Sequence, residues 1–344
     1  MVSNSIHRTD RSPTRNGQSY RERDSGTVTP MTPRTPKTPM TSVPTSEYNA
    51  ENYWDGVIDI PSSSWIFTMD ELKNKTPSRR HRDEQKRLKF ADELQKRCKG
   101  IFYLFNCCRQ LRLSRSVALT AACYFHRFYM RRDLLSFHYF EIAAAALFIA
   151  CKAEECRRRL GDIVKVCSKL AFQGKVTEII DEDSKIYWKW KDLLTNLEEL
   201  LLEELCFEVT PDNPYKICSE VLDLQTEPDP EDDKIDEWKL KTRGIFGHCA
   251  NFLECSARVP LVLLHDVRVL CGLGIIIGAH KEDAILPANL LNGDLQCSTD
   301  EVWKCYQELV ELGRMLAPLD PHFHVLTTVP KIARDEFVRV AHAA

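Results

Sequence analysis

The chain has no Cys-x-x-Cys pair, no apolar run of membrane-spanning length and no apolar segment near its polar N-terminus. The first absence leaves its fourteen cysteines without the spacing that begins a zinc site. Cys98, Cys108, Cys123 and Cys151 fall instead inside apolar stripes of helical period, as reduced thiols of a cytosolic or nuclear protein do. A membrane helix needs about 20 apolar residues in a row, and the run from Ile142 to Cys151 has ten. Without an apolar leader segment, no secretory signal is expected. An excess of one charge is missing too: Lys and Arg total 47 against 50 Asp and Glu, a net −3 that gives no global drive toward nucleic acid or anionic membrane. Gly272, Gly274 and Gly278 lack the spacing of a dinucleotide loop, with Leu and Ile between them and no strand before them. Close helix packing is their expected role.

What is present is helical. Residues 1–60 are rich in Ser, Thr, Pro and Arg and have almost no aliphatic clusters, so a disordered tail is expected there. Within it Ser12, Thr29, Thr32, Thr35 and Thr38 each precede a proline. They are candidate sites for a proline-directed kinase, each phosphate adding about −1.5 to −2 charge, though Thr-Pro repeats also serve as a stiff spacer. From about Trp65 the pattern becomes amphipathic. Thr68 to Glu71 has capping-box spacing, a long helix follows with the stripe Leu88, Ala91, Leu94, Cys98, Ile101, Phe105 and Cys108, and Ser114 caps the next. The run from Ile142 to Cys151 predicts a helix buried on every side. A shorter helix is predicted over Gly161 to Leu170, then one carrying the stripe Trp190, Leu194, Leu197, Leu201 and Leu205.

Pro211 and Pro214 mark a boundary between residues 61–210 and a second helical bundle over 211–320, leaving 321–344 as an expected C-terminal tail. The second bundle is expected to hold a helix ending near Cys255, an apolar helix from Leu261 to Ala279, a short one after Asp283, and a last one opened by the capping box Ser298 to Glu301.

Lys152 ends the apolar run, and Glu198 borders the apolar stripe of a later helix, while Glu199, Glu203 and Glu204 are expected to point away. A charge leaves water only when something pairs with it, so these two read as a docking pair for an outside partner, or as a pair closed on itself. His126, within Tyr124-Phe125-His126-Arg127-Phe128-Tyr129, has no nucleophile in its sequence context and reads as a structural histidine. The basic stretch Arg79, Arg80, Arg82, Lys86, Arg87 and Lys89 is interleaved with Asp83 and Glu84 and reads as the solvated face of a helix.

On Tyr124-Phe125-His126-Arg127-Phe128-Tyr129-Met130 and Ala150-Cys151-Lys152-Ala153-Glu154-Glu155, with Trp65-Ile66-Phe67-Thr68 before them, the sequence resembles the cyclins, most specifically the transcriptional cyclins of the K and T type. The resemblance is dense in the first bundle and thin in the second. It implies an all-α fold of two tandem five-helix cyclin boxes, and a non-enzymatic nuclear subunit that activates a cyclin-dependent kinase acting on the C-terminal domain of RNA polymerase II during elongation. No cofactor is implied. Lys152 and Glu198 fall at the family's kinase-holding lysine and glutamate, and Phe148, Ile149, Glu155 and Phe207 at neighbouring kinase contacts. The apolar substrate-docking patch of cell-cycle cyclins has no counterpart in Lys96-Arg97-Cys98-Lys99-Gly100-Ile101. A cyclin-box general transcription factor that grips promoter DNA is the alternative.

Overall fold

Six helices of the computed structural model, which describes residues 65–81, 83–172, 179–224, 237–319 and 329–341, account for the first half of the chain. The candidate phosphorylation sites Ser12, Thr29, Thr32, Thr35 and Thr38 lie outside the described residues. A short helix, α1 (Met69–Asn74), opens on a complete capping box: the Thr68 hydroxyl accepts the Glu71 N–H at 3.2 Å, and the Glu71 carboxylate accepts the Thr68 N–H at 2.9 Å. Then come α2 (Phe90–Gln110), α3 (Arg115–Arg131, capped by Ser114), α4 (Tyr139–Ala153, capped by His138), α5 (Leu160–Ala171) and α6 (Lys185–Glu204, capped by Ser184). The apolar helix is the axis of this bundle. Every residue from Ile142 to Cys151 is buried, and α2, α3, α5 and α6 surround α4. Its four consecutive alanines let those neighbours approach, as an all-apolar helix requires.

The second bundle repeats the plan around another apolar helix. Asn213 caps α7 (Pro214–Val221), with Pro214 in the first turn where a missing N–H costs nothing. After α8 (Glu237–Ser256), Asp266 caps α9 (Val267–Lys281), and Ser298 and Glu301 form the capping box of α10 (Thr299–Leu316). A last helix, α11 (Arg334–Ala341), packs on α9 and α10. The two bundles are tied near the entry of the chain, where the Phe67 N–H donates to the Leu263 carbonyl at 2.6 Å and Trp65 Nε1 to Glu208 at 2.9 Å.

Several sequence expectations change. The helix expected from Leu261 is broken into a 3-10 turn, Leu261–Leu263, and α9, because the Asp266 side chain takes the Arg268 N–H at 2.8 Å and starts a new helix. The short helix expected after Asp283 forms as a single π-type turn, Leu290–Asp294. The basic stretch is not a helix: it is two 3-10 turns, Pro77–Arg79 and Glu84–Lys86, and the long helix begins at Phe90 rather than Leu88. Arg80, Lys86, Arg87 and Lys89 are exposed, as expected of a solvated face, and Arg82 lies outside the described residues. Arg79 folds inward to the carbonyls of Lys73 and Leu88. Within the stretch expected as a C-terminal tail, Phe337, Val340 and Ala341 are buried, with the Phe337 ring 5.0 Å from Trp303 and the Leu286 N–H bonded to the Val340 carbonyl.

The glycines of α9 do pack helices. A Cβ on Gly278 would stand 2.6 Å from the Ile245 carbonyl oxygen of α8, and one on Gly274 2.6 Å from Cys249 Sγ. Gly278→Ala therefore forces backbone apart and is expected to cost about 1–3 kcal/mol. Gly247→Ala, on open space in α8, is expected to cost nothing and to gain up to about 1 kcal/mol of helix propensity. Urea unfolding of both variants checks the contrast, and equal midpoints would remove the packing explanation.

Candidate functional site

Lys152 sits in the last turn of α4, where the negative end of the helix favours a cation. Its Nζ lies 4.1 Å over the centre of the Phe148 ring, one turn back, and 2.5 Å from Oε1 of Glu198 on α6. The stripe Trp190, Leu194, Leu197 and Leu201 is buried against α4, and Glu198 borders it. The structure therefore brings together the two residues that the sequence singled out, 46 positions apart. It does not take them out of water. The side chains are 54% and 22% exposed, with the lysine charge over the Phe148 ring at the edge of the apolar layer. An ion pair so placed contributes about 0–1 kcal/mol to folding. Stability does not account for it.

The other predicted site residues divide. Phe148 and Ile149 are buried in the first bundle and present little free surface. Glu155 is exposed at φ 53°, in the turn after α4. Phe207 is 68% exposed, about 9 Å or more along the axis of α6 from Glu198. Cys206 and Phe207 have φ 52° and 58°, two successive non-glycine residues in the left-handed region, a conformation that costs of order 1–3 kcal/mol each unless its surroundings fix it. The surroundings do. Glu204 is buried between Arg131 (2.8 Å) and Arg132 (2.6 Å) at the end of α3, and Glu208 binds Trp65 and Arg127. An aromatic ring is thus pushed into solvent by a turn clamped on both sides.

Glu204 corrects the sequence expectation that it points away. It follows Leu197 and Leu201 by seven and three residues, which is the apolar stripe itself, and there it meets the two arginines. The signal was present in the period; the partner was not. Arg97, in the stretch matching the cell-cycle docking patch, is also internal: 1% exposed, it donates to Glu93 and to the carbonyls of His126 and Tyr129, each at 2.9 Å. Gly100 beside it faces the Phe125 ring too closely for any side chain.

His126 has the structural role expected of it. Fully buried in α3, its Nε2 lies 2.9 Å from the Ala257 carbonyl of the second bundle. A carbonyl only accepts, so Nε2 carries the proton. Burial, then the Arg97 charge, pull its pKa down to about 3, and the ring is neutral. The unfolded ring titrates near 6.5, so this stability is fully present above that pH and is lost as pH falls toward 3, at about 1.4 kcal/mol per unit. Wild type is expected to lose about 2 kcal/mol from this group between pH 7 and 5. His126→Gln, which does not titrate, is expected to flatten the pH slope of the unfolding free energy by about one proton. An unchanged slope would assign the acid sensitivity elsewhere.

Among the described residues no group of three or more His, Cys, Asp or Glu could hold a metal ion, and no helix is long and apolar enough to cross a membrane.

Residues 64–210 match the family model described as cyclin, N-terminal domain. Cyclin pch1 of Schizosaccharomyces pombe is 40% identical over 154 residues, covering 45% of this chain and 43% of that one. Human cyclin-T1 is 32% identical over 151 residues, covering 44% of this chain and 20% of its own length. The chain thus spans less than half the length of the relatives it matches. Among solved structures, a chain of the yeast RNA polymerase II CTD kinase complex CTDK-1 superposes with a TM-score of 0.56 at 14% identity, over 80% of this chain and 81% of that one, which is likeness of fold.

Proposed function

We propose that the chain, whose residues 64–210 match the cyclin N-terminal domain, is the regulatory, non-catalytic subunit of a cyclin-dependent kinase complex of the transcription type. One observation carries the reading: a cation of α4 and a carboxylate of α6 held at 2.5 Å on a surface where the pair contributes little to folding, with Phe207 exposed just past the end of α6. A protein kinase holds the ATP phosphates correctly only when its strand lysine is paired with the glutamate of its C-helix. A surface that binds the inward position of that helix better than the outward one shifts the population toward the active form, by as much as its differential affinity. Lys152 and Glu198 offer a donor and an acceptor for backbone groups of such a helix. Phe207 supplies exposed aromatic area, Glu155 a further charge, and Phe148 and Ile149 the packed floor beneath.

The relatedness to cyclins T1 and pch1 supports a kinase acting on the C-terminal domain of RNA polymerase II, and so a nuclear protein that promotes elongation. The test is purification of the tagged full-length chain from nuclear extract, identification of the kinase that comes with it, and assay of the eluate on a C-terminal-domain substrate. A stoichiometric kinase active on that substrate is the expected result. Recovery of promoter DNA and no kinase would replace this reading with that of a cyclin-box transcription factor.

A further inference from the structure

Five arginines, Arg109, Arg112, Arg157, Arg158 and Arg159, stand at the end of α2 and on the two loops that the Arg158 guanidinium joins, the one between α2 and α3 and the one between α4 and α5. Residues 156–159 lie outside any helix, and exposure alternates along them: Arg157 and Arg159 are exposed, Arg158 between them is half-buried. Arg158 turns inward, where its guanidinium reaches the carbonyls of Leu111 and Arg112 at 3.4 Å each, just past the C-terminal end of α2. That contact seats the pair Arg157 and Arg159 beside Arg112, whose backbone is itself left-handed at φ 52°, and within a turn of Arg109. Arg109 and Arg112 are exposed as well. Many of the chain's other arginines and lysines are paired, yet no carboxylate among the described residues lies within 4.0 Å of any of these five. For a protein of net charge −3, this is a local concentration of unneutralised guanidinium groups.

Guanidinium forks match phosphate oxygens two at a time, and clustered arginines are the usual means of holding phosphorylated peptides. We propose that Arg109, Arg112, Arg157 and Arg159 form a docking surface for a peptide already phosphorylated on serine or threonine, so that the complex engages substrate tails bearing earlier phosphates. The inference rests on the kinase-subunit reading above for its substrate, and the surface begins a few residues past Lys152 and Glu155. A nucleic acid fits less well. Single-stranded RNA is held by bases stacked on exposed aromatics interleaved with the basic groups, and residues 109–112 and 157–159 include no aromatic. The half-exposed Phe102 ring is engaged by the Arg258 guanidinium at 5.7 Å. Glu154, Glu155 and Asp162 flank the patch in sequence and limit how far a continuous polyanion could extend.

The decisive measurement uses the full-length chain without its kinase. Fluorescence anisotropy compares a peptide carrying two phosphoserines, each followed by proline, with the same peptide unphosphorylated and with an RNA oligonucleotide. The phosphopeptide is expected to bind at least about tenfold more tightly than the unphosphorylated one, and Arg112→Ala/Arg157→Ala/Arg159→Ala to remove that preference. Arg158 is kept so that the loops stay joined. In the kinase complex the same variant is expected to raise KM for the pre-phosphorylated substrate, with kcat and the KM for unphosphorylated substrate unchanged. Equal binding of both peptides, wild-type preference in the triple variant, or RNA as the tighter ligand lost in that variant would each overturn the proposal. Failure of the kinase reading is seen separately, as absence of an associated kinase, and leaves the anisotropy result to decide the patch.

Discussion

Lys152→Glu abolishes kinase association and leaves the protein folded: this is the expected result of the single most informative substitution. Reversal places two carboxylates where the wild type holds a 2.5 Å ion pair. On the proposed docking, a kinase backbone group then faces an anion in place of a cation, and truncating one partner of a buried hydrogen-bonded charge pair already costs about 2–5 kcal/mol or more. That is a loss of roughly thirtyfold to several thousandfold in affinity. Folding is nearly untouched, because the pair is open to solvent in the free chain and exposed pairs contribute about 0–1 kcal/mol. Glu198→Lys is expected to do the same. Quantitative pull-down with the kinase, beside circular dichroism and a melting curve of the free chain, checks both halves. Retained kinase activation with a normal melt would end the role assigned to this pair.

The second large effect is on stability, at a place with no exposed function. Glu93, 1% exposed, accepts from Arg97 and Arg79 at 2.9 Å and from the Thr76 hydroxyl at 2.9 Å. Arg97 in turn bonds carbonyls in the last two turns of α3. Glu93→Ala leaves the buried Arg97 charge with two carbonyls and the Met130 sulfur but no counter-charge, and removing one partner of a buried pair costs about 3–5 kcal/mol. Against a total of about 5–15 kcal/mol for a native protein, that is a large fraction. Urea unfolding is the measurement. A loss under about 1 kcal/mol would show that the network is not closed as described, since surface pairs behave that way. Replacing both members by apolar groups, Glu93→Leu with Arg97→Met, is expected to recover part of the loss by removing the orphaned charge.

These two sites differ in how far they could be read from residues alone. Lys152 and Glu198 were legible because each interrupts an apolar pattern, and an interruption is visible in one dimension. The Glu93, Arg97 and Arg79 network was not. Glu93 and Arg97 stand four apart on α2 in the spacing of an ordinary surface pair, and only the fold buries them. Glu204 is intermediate: its place on the stripe could be counted, its two arginines on α3 could not.

The sequence by itself determined the local elements, because their causes are local. Thr68 with Glu71 and Ser298 with Glu301 close capping boxes within one turn, and Ile142 to Cys151 carries no polar side chain and so had to be central. Tertiary structure decided everything that depends on which helix faces meet. The docking of α11 through Phe337, the bond from His126 to Ala257 across the bundles, and the solvent left around Lys152 all belong there. A period of 3.6 residues says which side of a helix is turned inward, and burial alone is indifferent to the identity of the neighbour. Directional hydrogen bonds and paired charges select that neighbour: the α3 carbonyl that Arg97 meets lies 29 residues away, and the Ala257 carbonyl that His126 meets lies 131 away.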